Sequence, residues 1–145
     1  MKMKHSQIAA AYASYFEKIA PDNLEELASF LTDDVVFIDP FNELHGKEKM
    51  VSIFSYMFES MNEPQFKVLD LAYSDQACYL KWRMTGQVKS APNMPFDILG
   101  MSEIHFNEEG LIKRHHDHWD ASGQLLSKLP YIGWITRKIS SLFSH

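Results

Sequence analysis

The spacing of the apolar residues changes character near Phe66, and that change restricts the fold more than any other feature of the chain. Before it, apolar positions recur at intervals of three and four, which puts them on one face of a helix. Ile8, Ala11, Tyr12, Tyr15 and Ile19 define the inner face of a first helix over Ile8–Ile19. Pro21 interrupts it; Asp22 stands as an N-cap with Glu25 as its capping-box partner, and a short second helix follows with Leu24, Leu27, Ala28 and Leu31 on one side. Val35–Ile38 is β-branched and aromatic and reads as a strand. It ends at Asp39-Pro40, because proline forces the preceding residue into extended geometry and cannot donate to a ladder. Gly46 precedes a third helix with Met50, Ile53, Phe54, Met57, Phe58 and Met61 on its buried face, closed by Asn62 and Pro64.

Beyond Phe66 the pattern predicts strands over Phe66–Ser74, Ala77–Val88, Pro95–Phe106 and Leu111–Ala121, with turns at Asp75-Gln76 and Asn107-Glu108-Glu109-Gly110. Helices first and antiparallel strands after are the pattern of an α+β fold, a curved antiparallel sheet packed over three N-terminal helices. Residues 1–121 are read as that domain and residues 122–145 as its C-terminal helical extension. Ile132, Ile135, Ile139, Leu142 and Phe143 stripe the extension. It is expected to pack on the domain, cover a pocket mouth or join a dimer partner.

Composition narrows the function classes. Nineteen acidic against fourteen basic residues give a formal charge of −5, which argues against nucleic-acid binding, since that needs a basic face to neutralise phosphates. No segment approaches the ~20 apolar residues that span a membrane, and the start of the chain has no apolar stretch resembling a signal peptide. A cytoplasmic protein with no membrane partner is expected. The lone Cys78 rules out an intramolecular disulfide and reads as a small buried hydrophobe.

Tyr15 on the first helix and Asp39 at the end of the first strand are the leading chemical pair. A phenol and a carboxylate across one pocket can divide a proton transfer: the carboxylate takes a proton from carbon and the phenol donates to the resulting oxyanion. Their spacing resembles that in the ketosteroid isomerases of the nuclear transport factor two-like superfamily. The resemblance covers about residues 5–121 and implies a cone-shaped sheet, a cofactor-independent activity, a base at Asp39, an oxyanion donor at Tyr15 and a homodimer. It also implies a pocket aromatic at Trp119. Where the isomerases carry a second, protonated aspartate, this chain has Ser102, a weaker donor. Trp82, Phe54 and Met57 are the expected apolar contacts to a small hydrophobic carbonyl compound.

The most unusual local composition is Arg114-His115-His116-Asp117-His118-Trp119-Asp120. Alternation along a strand places His115, Asp117 and Trp119 on one face and Arg114, His116, His118 and Asp120 on the other. With Trp119 and Leu111 pointing inward, Asp117 and His115 become a buried carboxylate–imidazole pair able to shuttle a proton. Asp117-His118-Trp119-Asp120 resembles the last strand of limonene epoxide hydrolase-like proteins and of SnoaL-like polyketide cyclases, where an acidic residue serves in acid/base catalysis. The hydrolases add an Arg-x-Asp pair; Arg83-Met84-Thr85 supplies the arginine without the aspartate. His116 and His118 could chelate a metal with His105 or His45, but strand-paired histidines are a weak signal and no metal is assigned. The residues thus leave three readings: an isomerase based on Asp39 and Tyr15, a hydrolase or cyclase based on Asp117, and a pocket protein without turnover.

Overall fold

The computed structural model describes residues 2–144, with side chains from His5 onward; Met1 and His145, the ends of the two stretches read from sequence, lie outside the described residues. Helix α1 (Lys2–Glu17) leads through a 3-10 turn (Pro21–Asn23) to α2 (Leu24–Ser29), strand β1 (Leu31–Ile38), the short β2 (Glu43–His45) and α3 (Lys47–Ser60). Strands β3 (Met61–Tyr73), β4 (Cys78–Val88), β5 (Phe96–Phe106) and β6 (Ile112–His118) follow. The chain closes with α4 (Ala121–Gln124), a 3-10 turn (Leu126–Lys128) and α5 (Ile132–Ser141). This is the expected α+β architecture, with a curved, unclosed six-stranded sheet in the order β2-β1-β6-β5-β4-β3. Its pairings are antiparallel except that of β1 with β6, which is parallel and departs from the all-antiparallel expectation. Among the described residues no helix is long and apolar enough to cross a membrane.

Three boundaries differ from the sequence reading for physical reasons. Asp22 does not cap α2: the Asn23 side chain accepts from the Ala20 N–H at 2.8 Å and donates to the Lys18 carbonyl at 2.9 Å, tying the turn on both sides. Leu31 belongs to β1 rather than to the second helix. Met61 leaves α3 in extended geometry and opens β3, which runs straight past Pro64. A strand tolerates that proline at a sheet edge, and β3 is an edge strand whose register slips between Asn62 and Gln65, with Glu63 at φ 48°.

The concave face of the sheet carries the core. Tyr12 from α1, Leu27 from α2 and Met50 from α3 meet Val35, Cys78, Ile98, Ile104 and Ile112 from the strands, all fully buried. Burial pushes the Cys78 thiol up to about 11, which keeps it protonated and inert. Gly46 starts α3 at φ 104°, a backbone conformation suited to glycine, and its N–H bonds the Val35 carbonyl at 2.8 Å.

Of the roles expected of the tail's apolar stripe, packing on the domain is not the one it takes here. Helix α5 packs through Gly133 and Arg137 on the turn before it, with the Arg137 guanidinium donating to the Ser127 carbonyl at 2.5 Å. Ile132, Ile135, Ile139, Leu142 and Phe143 face outward and exposed.

Candidate active site

Strand register alone brings the principal polar groups together. In the antiparallel pair β5–β6, Ser102 stands opposite Asp117 and Ile104 opposite His115; on the other side of β5, Leu80 stands opposite Ser102 and Trp82 opposite Gly100. All these side chains point to the concave face. The remaining group comes from α1, one of whose tyrosines reaches down onto β6.

The result is a hydrogen-bonded chain. The Tyr12 hydroxyl lies 2.7 Å from His115 Nδ1, and His115 Nε2 lies 2.8 Å from Asp117 Oδ1. From the other direction the Trp82 indole N–H donates to Ser102 Oγ at 2.8 Å, and the Ser102 hydroxyl donates to the same Asp117 Oδ1 at 2.5 Å. One neutral imidazole tautomer satisfies every contact: Nδ1 accepts from Tyr12 and the Nε2–H donates to Asp117. The carboxylate is then the terminal acceptor of two converging chains. Both end on Oδ1, leaving Oδ2 with no protein partner among the described residues. Burial, with the nearby Asp117 charge adding to it, pushes the Tyr12 phenol well above its ordinary value, so Tyr12 stays a donor.

Asp117, His115 and Ser102 form the polar side of a small cavity of about 30 Å³, walled by Phe16, Phe54, Phe66, Leu80 and Trp82. That volume admits a water molecule or two. Trp82 is held in place from behind as well, since a Cβ at Gly100 would lie 2.4 Å from its ring.

Five of the residues expected in a site therefore meet: Asp117, His115, Ser102, Trp82 and Phe54. The other four do not join them. The Tyr15 hydroxyl donates to the Asn23 carbonyl at 3.3 Å, its phenol pushed up to about 12 by burial first and by the Glu26 charge second. Asp39 is a turn carboxylate: Oδ1 accepts from the Phe41 N–H at 2.8 Å and the Asn42 N–H at 2.7 Å. It borders an open depression of about 490 Å³ that also includes Met57. Tyr15 and Asp39, expected across one pocket, are set apart here: Asp39 borders the open depression, and Tyr15 lines neither it nor the smaller cavity. Trp119 falls just past the end of β6, where strand alternation no longer governs it, and packs edge-on against Phe41 with ring centroids 5.7 Å apart. Arg83 leaves the pocket as well, pairing on the outer side with Asp97 of β5 through Nε at 2.6 Å.

Tyr12 is the member that sequence reasoning missed. It lies three residues before Tyr15 on the same helix face, and helical spacing alone cannot choose between them. The distinguishing signal is the strand opposite: the residue that meets His115 must lie deepest, and Tyr12 is fully buried.

Comparison with known proteins agrees with this architecture. A structure from Catenulispora acidiphila with a ketosteroid isomerase-like fold, solved in complex with trimethylamine, superposes with a TM-score of 0.70 at 16% identity, covering 83% of this chain and 90% of that one. A putative polyketide cyclase from Xanthomonas campestris pv. campestris gives 0.69 at 15% identity, covering 81% of this chain and 91% of its own. An LEH-like epoxide hydrolase from M. tuberculosis gives 0.66 at 11% identity, covering 97% of this chain and 96% of its own. At such identities the likeness is one of fold. No curated protein matches the sequence. The sequence profile of the SnoaL-like domain matches residues 12–115, most of the chain, and the protein therefore belongs to the SnoaL-like family within the nuclear transport factor two-like superfamily.

Proposed function

We propose that the protein is a cofactor-independent acid/base enzyme acting on a small hydrophobic molecule, with Asp117 as the proton-accepting group. The observation that carries this reading is the convergence of Tyr12–His115 and Trp82–Ser102 on one oxygen of a carboxylate that lines an otherwise apolar cavity. Side chains fixed in this way present Oδ2 in one orientation and need no rearrangement as charge moves, the condition under which a positioned base is effective. His115 orients Asp117 from one side and Ser102 from the other, so both are positioning residues. The reaction class is transfer of a proton from a water, hydroxyl or activated carbon, as cyclisation, hydrolysis and isomerisation all require. The cyclase and hydrolase arm is favoured over the isomerase arm, because Tyr15 and Asp39 are engaged elsewhere. The neighbours of known fold include a putative polyketide cyclase, an epoxide hydrolase and a steroid delta-isomerase, so the preference for this arm rests on the residues of this chain. A substrate larger than one or two waters requires the cavity to widen.

The small volume of the cavity favours a second reading, in which the network serves packing and the fold binds without turnover. One experiment separates the two. The protein is incubated in deuterated water with a panel of apolar enolisable ketones, and in ¹⁸O-labelled water with apolar epoxides, and label incorporation is followed. Label uptake that falls by ~10²-fold or more in Asp117→Asn and is unchanged in Asp39→Asn supports the base assignment. Uptake that survives in Asp117→Asn rejects Asp117 as the base, and no uptake across the panel moves the assignment to the second reading.

A further inference from the structure

The strands that turn Ser102, His115 and Asp117 inward turn a second set of side chains outward, and the proposed activity uses none of it. Glu103 on β5 stands directly opposite His116 on β6, with His118 two residues along the same strand and His105 two residues along the other. The Glu103 carboxylate reaches both sides: Oε2 lies 3.1 Å from His118 Nε2 and Oε1 lies 2.6 Å from His105 Nε2. The rings of His116 and His118 lie side by side, with centroids 3.8 Å apart and planes 31° from parallel. One donor atom each from Glu103, His116 and His118 fall within 4.8 Å of one another.

We propose that Glu103, His116 and His118 form a binding site for a borderline divalent transition metal of the zinc type, on the outer face of the sheet. Donor atoms bound to such an ion at about 2.0–2.2 Å lie roughly 3.4 Å apart when tetrahedral. The observed donors, within 4.8 Å of one another, need to close by at most about 1.4 Å to reach that spacing. Two imidazoles and one carboxylate suit zinc, nickel or copper and not magnesium, which prefers an all-oxygen octahedron. Two ligands come from adjacent outward positions of one strand and the third from the facing residue of its partner, so the scaffold is regular sheet rather than loop. His105, on the other oxygen of Glu103, is placed to hold that carboxylate as an outer partner. The ion would clamp β5 to β6 one residue away from Ser102 and Asp117 on the opposite face.

The test uses the full chain, tag-free and stripped with chelator, titrated calorimetrically with zinc chloride and with magnesium chloride. Expected is saturable binding of one zinc per chain and no comparable heat from magnesium. Affinity should weaken at least tenfold in His116→Ala, His118→Ala and Glu103→Gln, and remain unchanged in His45→Ala, whose histidine pairs with Glu43 on the far edge strand. Saturating zinc should also raise the melting temperature of the unsubstituted protein, since an ion that binds only the folded state stabilises it by mass action. Cobalt supplies an independent readout on the unsubstituted chain, through the intense visible bands of a four-coordinate ion. Absence of saturable zinc binding, equal binding of magnesium, affinity unchanged in both histidine variants, or only the faint bands of six-coordinate cobalt would each overturn the proposal.

Discussion

The two faces of the β5–β6 ribbon carry nearly the same chemistry in opposite surroundings. Inward, His115 pairs with Asp117 at 2.8 Å, its side chain 3% exposed; outward, His118 pairs with Glu103 at 3.1 Å, its side chain 48% exposed. On the inner face two hydrogen-bond chains converge on Asp117 Oδ1 among apolar walls, so the arrangement is determinate and the loss of a member is severe. On the outer face Glu103 is shared between His105 and His118, and solvent substitutes readily for either. Burial, more than residue identity, separates a committed relay from an adaptable cluster open to exchange with an ion.

The largest test of that contrast is a matched pair of deletions. His115→Ala leaves both the Tyr12 hydroxyl and one hydrogen-bond site of Asp117 unpaired and opens a hole beside Phe37, so urea denaturation should show a loss of about 3–5 kcal/mol. His118→Ala should stay within about 0.5 kcal/mol in metal-free buffer. Equal losses would erase the distinction between the faces.

A smaller effect sharpens the inner half of the comparison. Gly100→Ala drives a methyl into the Trp82 ring, which must move off Ser102. A loss of about 1–3 kcal/mol is expected, together with a shift in tryptophan emission as the indole N–H loses its partner. An unchanged spectrum would mean that Trp82 does not hold Ser102.

The smallest effects concern pH, and the two faces should fail at opposite ends. Burial raises the Tyr15 phenol from 10.0 to about 12, and Tyr12 is raised well above its ordinary value by the same cause. Groups raised in the folded state contribute stability in full below the unfolded value; that contribution declines above 10.0 and, for Tyr15, is spent by about 12. Glu103 is held below its ordinary 4.5, first by the His105 hydrogen bond. Its contribution is present above 4.5 and is lost as pH falls through the lowered folded value. Being only partly buried, it should give a modest acid-side slope that salt weakens and Glu103→Gln removes. Denaturation midpoints followed across both ranges would show whether the alkaline loss persists in that variant, as expected.

Much of this was legible in the sequence, and the failures have identifiable causes. The change of period at Phe66 located the helical and strand halves, and strand alternation sorted His115 and Asp117 from His116 and His118. Alternation failed at Trp119 because it holds only as far as the strand does, and β6 stops at His118. Tyr12 and Tyr15 share a helix face, so choosing between them required knowing which strand lies beneath α1. Asp39 combined a plausible spacing with ordinary turn chemistry, and the backbone N–H groups of Phe41 and Asn42 decided in favour of the turn. The outward apolar face of α5 was beyond reach for a related reason: a stripe shows that a helix has two sides, not which one meets the body.

The position of β6 has a consequence for how the molecule comes into being. It is the last strand in the chain, yet it lies between β1 and β5, and its parallel register with β1 joins Phe37 to His115 across most of the sequence. During synthesis the helices and the β3–β5 meander can assemble while β1 waits with an unsatisfied edge. Closing that gap brings together segments far apart in the chain, the slow kind of step in folding. Tyr12 gains its partner only at that moment, so an incompletely synthesised chain has no relay at all, and the site is assembled by the same event that completes the sheet.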